Sequence, residues 1–321
     1  MRALVTGTAG FIGSHLAEAL IARGDHVRGV DAFTSYYDPR VKRRHVASLI
    51  ESPSFELIDA DLTTTGIEPL LTDVDVVFHL AAQPGVRLSW AGGFAEYTHY
   101  NVLATQRLLE AARQHPLRRL VYASSSSVYG NAPRYPTTEG DLPRPHSPYG
   151  VTKLAAEHLC GLYAANHGVP TTALRFFTVY GPRQRPDMAM HRLIEAGLDG
   201  RPFGLFGTGA QVRDFTYVHD VVAAVLAAGD VEAAPGTVLN VSGGTSASMN
   251  DVIDILDRLM DEPIQVTRQG VQPGDVERTG GSVESIQRVL AWRPTVDLES
   301  GLRAQLDWHL SRRSHRGGDT T

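Results

Sequence analysis

"RALVTGTAGFIGSHLAEALIAR", residues 2 to 23, decides how the rest of the chain is read. Its first five residues are a short apolar run of strand type, and "FIGSHLAEALIAR" repeats apolar residues at helical spacing up to Gly24. Gly7, Gly10 and Gly13 fall between the two, followed by Phe11 and Ile12 at the helix start. Glycines here permit a tight turn, close approach of backbone to a pyrophosphate, and close packing of helix on strand. The helix N-terminus adds amide donors and the positive end of its dipole. A second strand, "HVRGVD", ends on Asp31, eighteen residues after Gly13. A carboxylate at that point suits the ribose diol of an adenosine and repels a 2′-phosphate. The unit reads as a dinucleotide site that takes NAD rather than NADP.

The same rhythm continues outward. "FELIDAD", "DVVFHLAA", "RRLVYAS" and "PTTALRFFTVYG" read as strands, with helices "VLATQRLLEAARQH" and "YGVTKLAAEHLCGLYAANHG" between them. Alternating strands and helices predict an α/β fold, a Rossmann-type doubly wound parallel sheet with a smaller mixed α/β C-terminal lobe for the substrate. After "YGPRQRPD" the pattern loosens into Gly-rich, irregular pieces up to "RDFTY", and "VHDVVAAVLAAG" and "GTVLNVSGG" return to the sheet. The expected division is 1–175 with about 215–245 for the dinucleotide, and about 176–214 with 246–312 for the substrate. The polar end, 313–321, is expected to be disordered.

Asp61 and Leu62 follow the third strand and can meet the adenine, although Asp61 reads equally well as a solvated loop acid. Leu80, Ala81 and Ala82 end the fourth strand where small residues let backbone run along a cofactor. "VKRRH", 41–45, reads as a solvated helix face.

The chain of 321 residues carries 30 Lys and Arg against 35 Asp and Glu, so its net charge is −5. That balance argues against general nucleic-acid binding. A single cysteine, Cys160, excludes an intrachain disulfide framework and reads as a core or interface thiol. No apolar run reaches membrane-spanning length and no leader is apparent, so a cytoplasmic protein with no membrane partner is expected. The thirteen histidines show no zinc-type spacing, and no metal site is expected.

Tyr149 and Lys153 lie four residues apart on a predicted helix and project from one face. A phenol titrates near 10, so a nearby ammonium that favours the phenolate would be needed for it to act as a base at neutral pH. "YASSSSVYGN", 122–131, reads either as a polar linker or as a strand end offering hydroxyls to that tyrosine.

Together "TGTAGFIG", Asp31, "SSSSVYG", "YGVTK", "RFFTVYGP", "RDFTYVHD" and "PGDVER" resemble the nucleotide-sugar epimerases of the extended short-chain dehydrogenase/reductase family. The resemblance covers residues 1 to about 310. It implies tightly held NAD and a Ser/Thr–Tyr–Lys catalytic group, which falls on Ser125, Tyr149 and Lys153. It also resolves the serines: Ser126 and Ser127 stand where related dehydratases and decarboxylases carry acids, so elimination and decarboxylation are disfavoured. "RFFTVYGPRQRPDMA" is most similar to UDP-glucuronate 4-epimerases. By that likeness Arg185 pairs with the sugar carboxylate, its planar fork suiting a bidentate contact, and Ser126, Ser127 and Thr178 add hydroxyls. A surface residue in an Arg/Pro loop is the alternative for Arg185. Arg213, Arg278 and Asp275 match positions at the diphosphate and ribose, with Gln211 and Arg192 added. The implied reaction is NAD-dependent 4-epimerisation of a UDP-uronic acid through a 4-keto intermediate, by a homodimer. The rivals are a neutral UDP-sugar 4-epimerase, an oxidoreductase that releases NADH, and a non-catalytic NAD sensor.

Overall fold

A computed structural model describes residues 1–270 and 274–317. Twelve strands are numbered here in chain order: β1 Arg2–Thr6, β2 His26–Asp31, β3 Phe55–Asp59, β4 Val76–His79, β5 Arg119–Ser125 and β6 Thr171–Phe176, then β7 Thr178–Tyr180, β8 Phe203–Phe206, β9 Val212–Tyr217, β10 Thr237–Val241, β11 Ser246–Ser248 and β12 Val266–Gln269. Seven form one sheet in the order β10-β6-β5-β4-β1-β2-β3, all parallel. Helices cover both faces, so the central strands are buried throughout; all four residues of β4 are buried. The order reverses between β1 and β4, which opens a crevice at their C-terminal ends.

Two glycines fix the entry to that crevice. Gly7 sits at φ +69°, and a Cβ on it would lie 2.8 Å from the Ala81 nitrogen. A Cβ on Gly13 would lie 2.1 Å from the Gly7 carbonyl oxygen, so only glycine lets the helix Phe11–Ala22 pack this tightly on β1.

The run expected as one strand over "PTTALRFFTVYG" is two. β6 belongs to the large sheet, while β7 pairs with β9 in a three-stranded sheet, β11-β9-β7. The chain changes sheets at Phe177, whose buried ring packs with Val128 and Tyr129. The segment read as irregular, 188–217, is also more regular than expected. It holds the helix Ala189–Leu198, β8 and β9, and β8 pairs with β12 in a two-stranded sheet. Its Gly-rich "FGTGAQ" is the turn between β8 and β9.

The C-terminal helix Leu298–Gly317 runs past residue 313, where a disordered tail was expected. Arg313 explains the extension: its guanidinium binds Glu195 at 2.9 Å and Asp199 at 2.6 Å on the helix Ala189–Leu198. Residues 318–321 lie outside the described residues. No helix among the described residues is long and apolar enough to cross a membrane.

Candidate active site

The crevice is lined by Gly7, Gly10, Phe11, Ile12, Gly13, Asp31, Asp61, Leu62, Leu80, Ala81 and Ala82 at one end. Ser125, Ser126, Ser127, Tyr149, Lys153, Thr178 and Arg185 line the other. The glycine end fits a dinucleotide: Gly10 caps the helix with no side chain over its first amides, and that first turn carries no acidic residue. Asp31 is buried at the end of β2, where its carboxylate accepts from Ala9 N at 3.1 Å and Phe33 N at 2.8 Å. Burial pushes its pKa up, against the pull of Lys42 and the two amides. Asp61 is not a free loop acid, because its Oδ1 accepts from the Thr63 amide and hydroxyl at 2.8 and 2.6 Å.

Residues 41–45 are a solvated face only at Arg43 and Arg44, which are exposed. Lys42 and His45 are buried; Lys42 donates to Thr34 at 3.1 Å, lies 3.9 Å from Asp31, and faces the crevice. A hydrogen-bonded chain braces the floor: Ala81 N donates to Thr6 Oγ1, which lies 2.7 Å from His79 Nδ1, and His79 Nε2 lies 3.0 Å from Thr105 Oγ1. Thr105 donates onward to the Asn101 carbonyl, so the buried imidazole is neutral with its proton on Nε2.

The four serines separate by role. Ser124 is buried and donates to Glu157 at 2.6 Å, and Glu157 pairs with buried Arg175 at 2.6 Å. Ser125 ends β5 facing the crevice, and its oxygen accepts from the Ser127 amide at 3.1 Å to cap the 3-10 turn Ser126–Val128. This is a strand end and a tight turn rather than a linker. The helix Pro148–His167 starts beside it, capped by Ser147 with Pro148 in its first turn. Gly150 lets that start press against the Ser127 carbonyl.

Tyr149 thereby meets Ser125. Burial pushes the phenol's pKa up, while the hydrogen bond from Ser125 and the charge of Arg185 pull it back. Lys153 is buried one turn further along the same helix. Its ammonium lies 4.6 Å from the Tyr122 ring centroid, and burial lowers its pKa to about 7. The i,i+4 spacing puts both side chains on the crevice wall, which Arg185 also lines.

Arg185 is four-fifths buried, not a loose surface residue. Asp187 binds it through two contacts of 3.0 Å.

The residues assigned to the diphosphate do not line this crevice but gather beside it. A bridge between Val212 and Arg278 brings Arg213 and Arg278 together, and Asp275 acts electrostatically on Arg213. Pro273 of the "PGDVER" motif lies outside the described residues. Sequence reading missed Arg87, which binds Asp275 at 3.3 Å and stacks 4.2 Å from the Phe206 ring. It follows Val86, a crevice residue. Gln211 donates to Phe206 O at 3.5 Å, and Arg192 is exposed, 5.8 Å from the Phe203 ring. Tyr36, Tyr37, Gln83, Tyr100 and Met188 also line the crevice and were missed; only the aromatic pair in "SYYDP" offered a signal.

One cluster has the makings of a metal site that histidine spacing did not foretell. Donor atoms of His191, Glu195 and His309 lie within 4.8 Å of one another. Glu195 is already committed to His309 and Arg313, and those contacts hold its pKa near 2.

A family model described as "NAD dependent epimerase/dehydratase family" matches residues 3–242. A relative described as the uncharacterized UDP-glucose epimerase YtcB of Bacillus subtilis (strain 168) is 41% identical over 307 residues, 95% of this chain and 97% of its own. The probable UDP-glucuronate 4-epimerase of Rhizobium meliloti (strain 1021) is 35% identical over 98% of this chain and 99% of its own. Among solved structures, the UDP-glucuronic acid 4-epimerase of Bacillus cereus in complex with UDP-glucuronic acid and NAD superposes with a TM-score of 0.95. It is 42% identical and covers 97% of this chain and 100% of its own.

Proposed function

Because the chain belongs to the NAD dependent epimerase/dehydratase family, we propose that it is an isomerase that interconverts UDP-glucuronate and UDP-galacturonate by inverting C4. The observation that carries this reading is one crevice holding Asp31 and three close-packed glycines at one end and Ser125, Tyr149 and Arg185 at the other. The 42% identity to the Bacillus cereus enzyme supports the substrate class.

Residues 1–175 with about 215–245 hold NAD, and 176–214 with 246–312 hold the nucleotide sugar. Gly7, Gly10, Gly13 and the amides at Phe11 and Ile12 receive the pyrophosphate, and Asp31 takes the ribose diol. Asp61 and Leu62 flank the adenine. When bound, NAD supplies the redox chemistry at sugar C4, first oxidising and then reducing it. Tyr149 takes the proton of the 4-hydroxyl, assisted by Ser125, and later returns it on the other face. Lys153 holds the cofactor ribose. Arg213, Arg278 and Arg87 anchor the diphosphate while the 4-keto sugar turns over. Arg185, with Ser126, Ser127 and Thr178, orients the C5 carboxylate.

A 4-keto uronate is a β-keto acid, which loses carbon dioxide when its C5–C6 bond aligns with the carbonyl π system. Neither Ser126 nor Ser127 can supply the acid that related eliminations use. The same site on a neutral UDP-hexose is the second reading; Asp187 offsets the Arg185 charge, and the YtcB relative's name points that way. We place the protein in the cytoplasm, which suits a free, buried Cys160. We also propose a homodimer: Val151 and Leu162 share a face of the helix Pro148–His167 and stay 48% and 55% exposed.

Proton NMR of the purified protein with UDP-glucuronate, and separately with UDP-glucose, tests the reading. Conversion to UDP-galacturonate with UDP-glucose inert supports it. Conversion of UDP-glucose alone overturns the uronate assignment.

A further inference from the structure

Arg185 is held from two directions. Asp187 meets one edge of its guanidinium, Oδ1 to Nε and Oδ2 to Nη2, both at 3.0 Å. Tyr36, from the loop before the helix Pro39–Ile50, donates its hydroxyl to the same Asp187 Oδ2 at 3.3 Å. Its ring centroid lies 5.9 Å from the guanidinium carbon. Tyr36 and Arg185 line the crevice together with Ser125 and Tyr149.

A guanidinium has two edges able to take a carboxylate: one formed by Nε with a terminal nitrogen, the other by the two terminal nitrogens. Asp187 occupies the first. The second stays available to a ligand, and its direction is set because the plane can no longer turn about its stem.

We propose that Asp187 and Tyr36 are positioning residues that aim the end-on edge of Arg185 at the sugar carboxylate and so suppress decarboxylation of the 4-keto sugar. The inference rests on the function proposed above. In the side reaction the C5–C6 bond breaks and its electron pair forms the C4–C5 enolate as carbon dioxide leaves; a solvent proton then adds at C5. Holding the carboxylate so that C5–C6 lies near the plane of the carbonyl denies that pair its overlap. An arginine free to swing would bind the carboxylate nearly as well but would not fix this angle. The clamp therefore acts on the fate of the intermediate more than on substrate affinity.

The test is a double-mutant cycle on the NAD-bound enzyme with UDP-glucuronate: wild type, Asp187→Asn, Arg185→Ala and the double variant. Proton NMR follows the epimer and the UDP-4-keto-pentose together. Asp187→Asn is expected to lower kcat about tenfold with KM within about threefold, and to raise the decarboxylated share several-fold. On the Arg185→Ala background it should add almost nothing, because it acts through Arg185. Tyr36→Phe, which keeps the ring, should shift the product ratio the same way by less and serves if Asp187→Asn does not fold. Full additivity with Arg185→Ala, or lost kcat without decarboxylated product, overturns the clamp. If the wild type leaves UDP-glucuronate unchanged, the functional reading falls and takes this proposal with it. Wild-type turnover with additive variants sinks the clamp alone.

Discussion

A Cβ on Gly150 would lie 2.5 Å from the Ser127 carbonyl oxygen and 3.1 Å from the Pro145 Cβ. This contact locks the start of the tyrosine-bearing helix against the turn that presents Ser125. Because the nearest neighbour is backbone, it cannot rotate away. Gly150→Ala should cost about 1–3 kcal/mol of stability and shift Tyr149 from Ser125. Thermal melts and kcat measured on the same sample should both fall; an unchanged kcat would mean that the contact does not set the site.

Adjacent serines should give opposite phenotypes. Ser124→Ala removes a buried hydrogen bond to a charged partner, Glu157, and is expected to cost about 1.5–3 kcal/mol with kcat nearly intact. Ser125→Ala should lower kcat about 100-fold or more with little loss of stability. Urea denaturation and turnover of the two variants separate these outcomes, and a reversed pattern would reassign the catalytic hydroxyl.

Cofactor choice should hinge on Asp31 and Lys42. With the Asp31 carboxylate 3.9 Å from the Lys42 ammonium, the acid we propose for the ribose diol also neutralises the nearby cation. Asp31→Ser leaves Lys42 to meet a 2′-phosphate. Fluorescence titration of stripped protein should show NADH affinity reduced about 10-fold or more, by loss of about 1.5–3 kcal/mol of charged hydrogen bonding. NADPH affinity should rise; if it does not, Lys42 does not face the ribose.

Acid should unfold this protein through its imidazoles. Burial lowers His15 and His79 to about 3, and His45 and His191 to about 4, from an ordinary 6.5. Between pH 6.5 and about 4 the unfolded chain therefore binds more protons, so stability is whole above that window and falls as pH drops through it. Each group contributes up to about 1.4 kcal/mol per pH unit. Urea midpoints should fall from pH 7 to pH 5, and His79→Gln should flatten that slope by about one proton. An unchanged slope would show that His79 is not kept neutral in the fold.

What the sequence by itself determined is what local stereochemistry controls. Gly7 and Gly13 between a strand and a helix, Asp31 at the end of β2, and the four-residue step from Tyr149 to Lys153 are each set within one turn or one element. They announced the parallel sheet and the ends of its crevice. The likeness of whole motifs added Ser125, Thr178 and Arg185, all of which line that crevice. Tertiary packing decided the rest. Lys42 faces inward because its helix folds back over Asp31, and the Lys153 ammonium sits over the Tyr122 ring. Arg87 joins Asp275 across 188 residues, and Tyr36 reaches Asp187 across 151. No periodicity encodes such pairs, because each depends on burial and on charges that meet only when distant segments pack together.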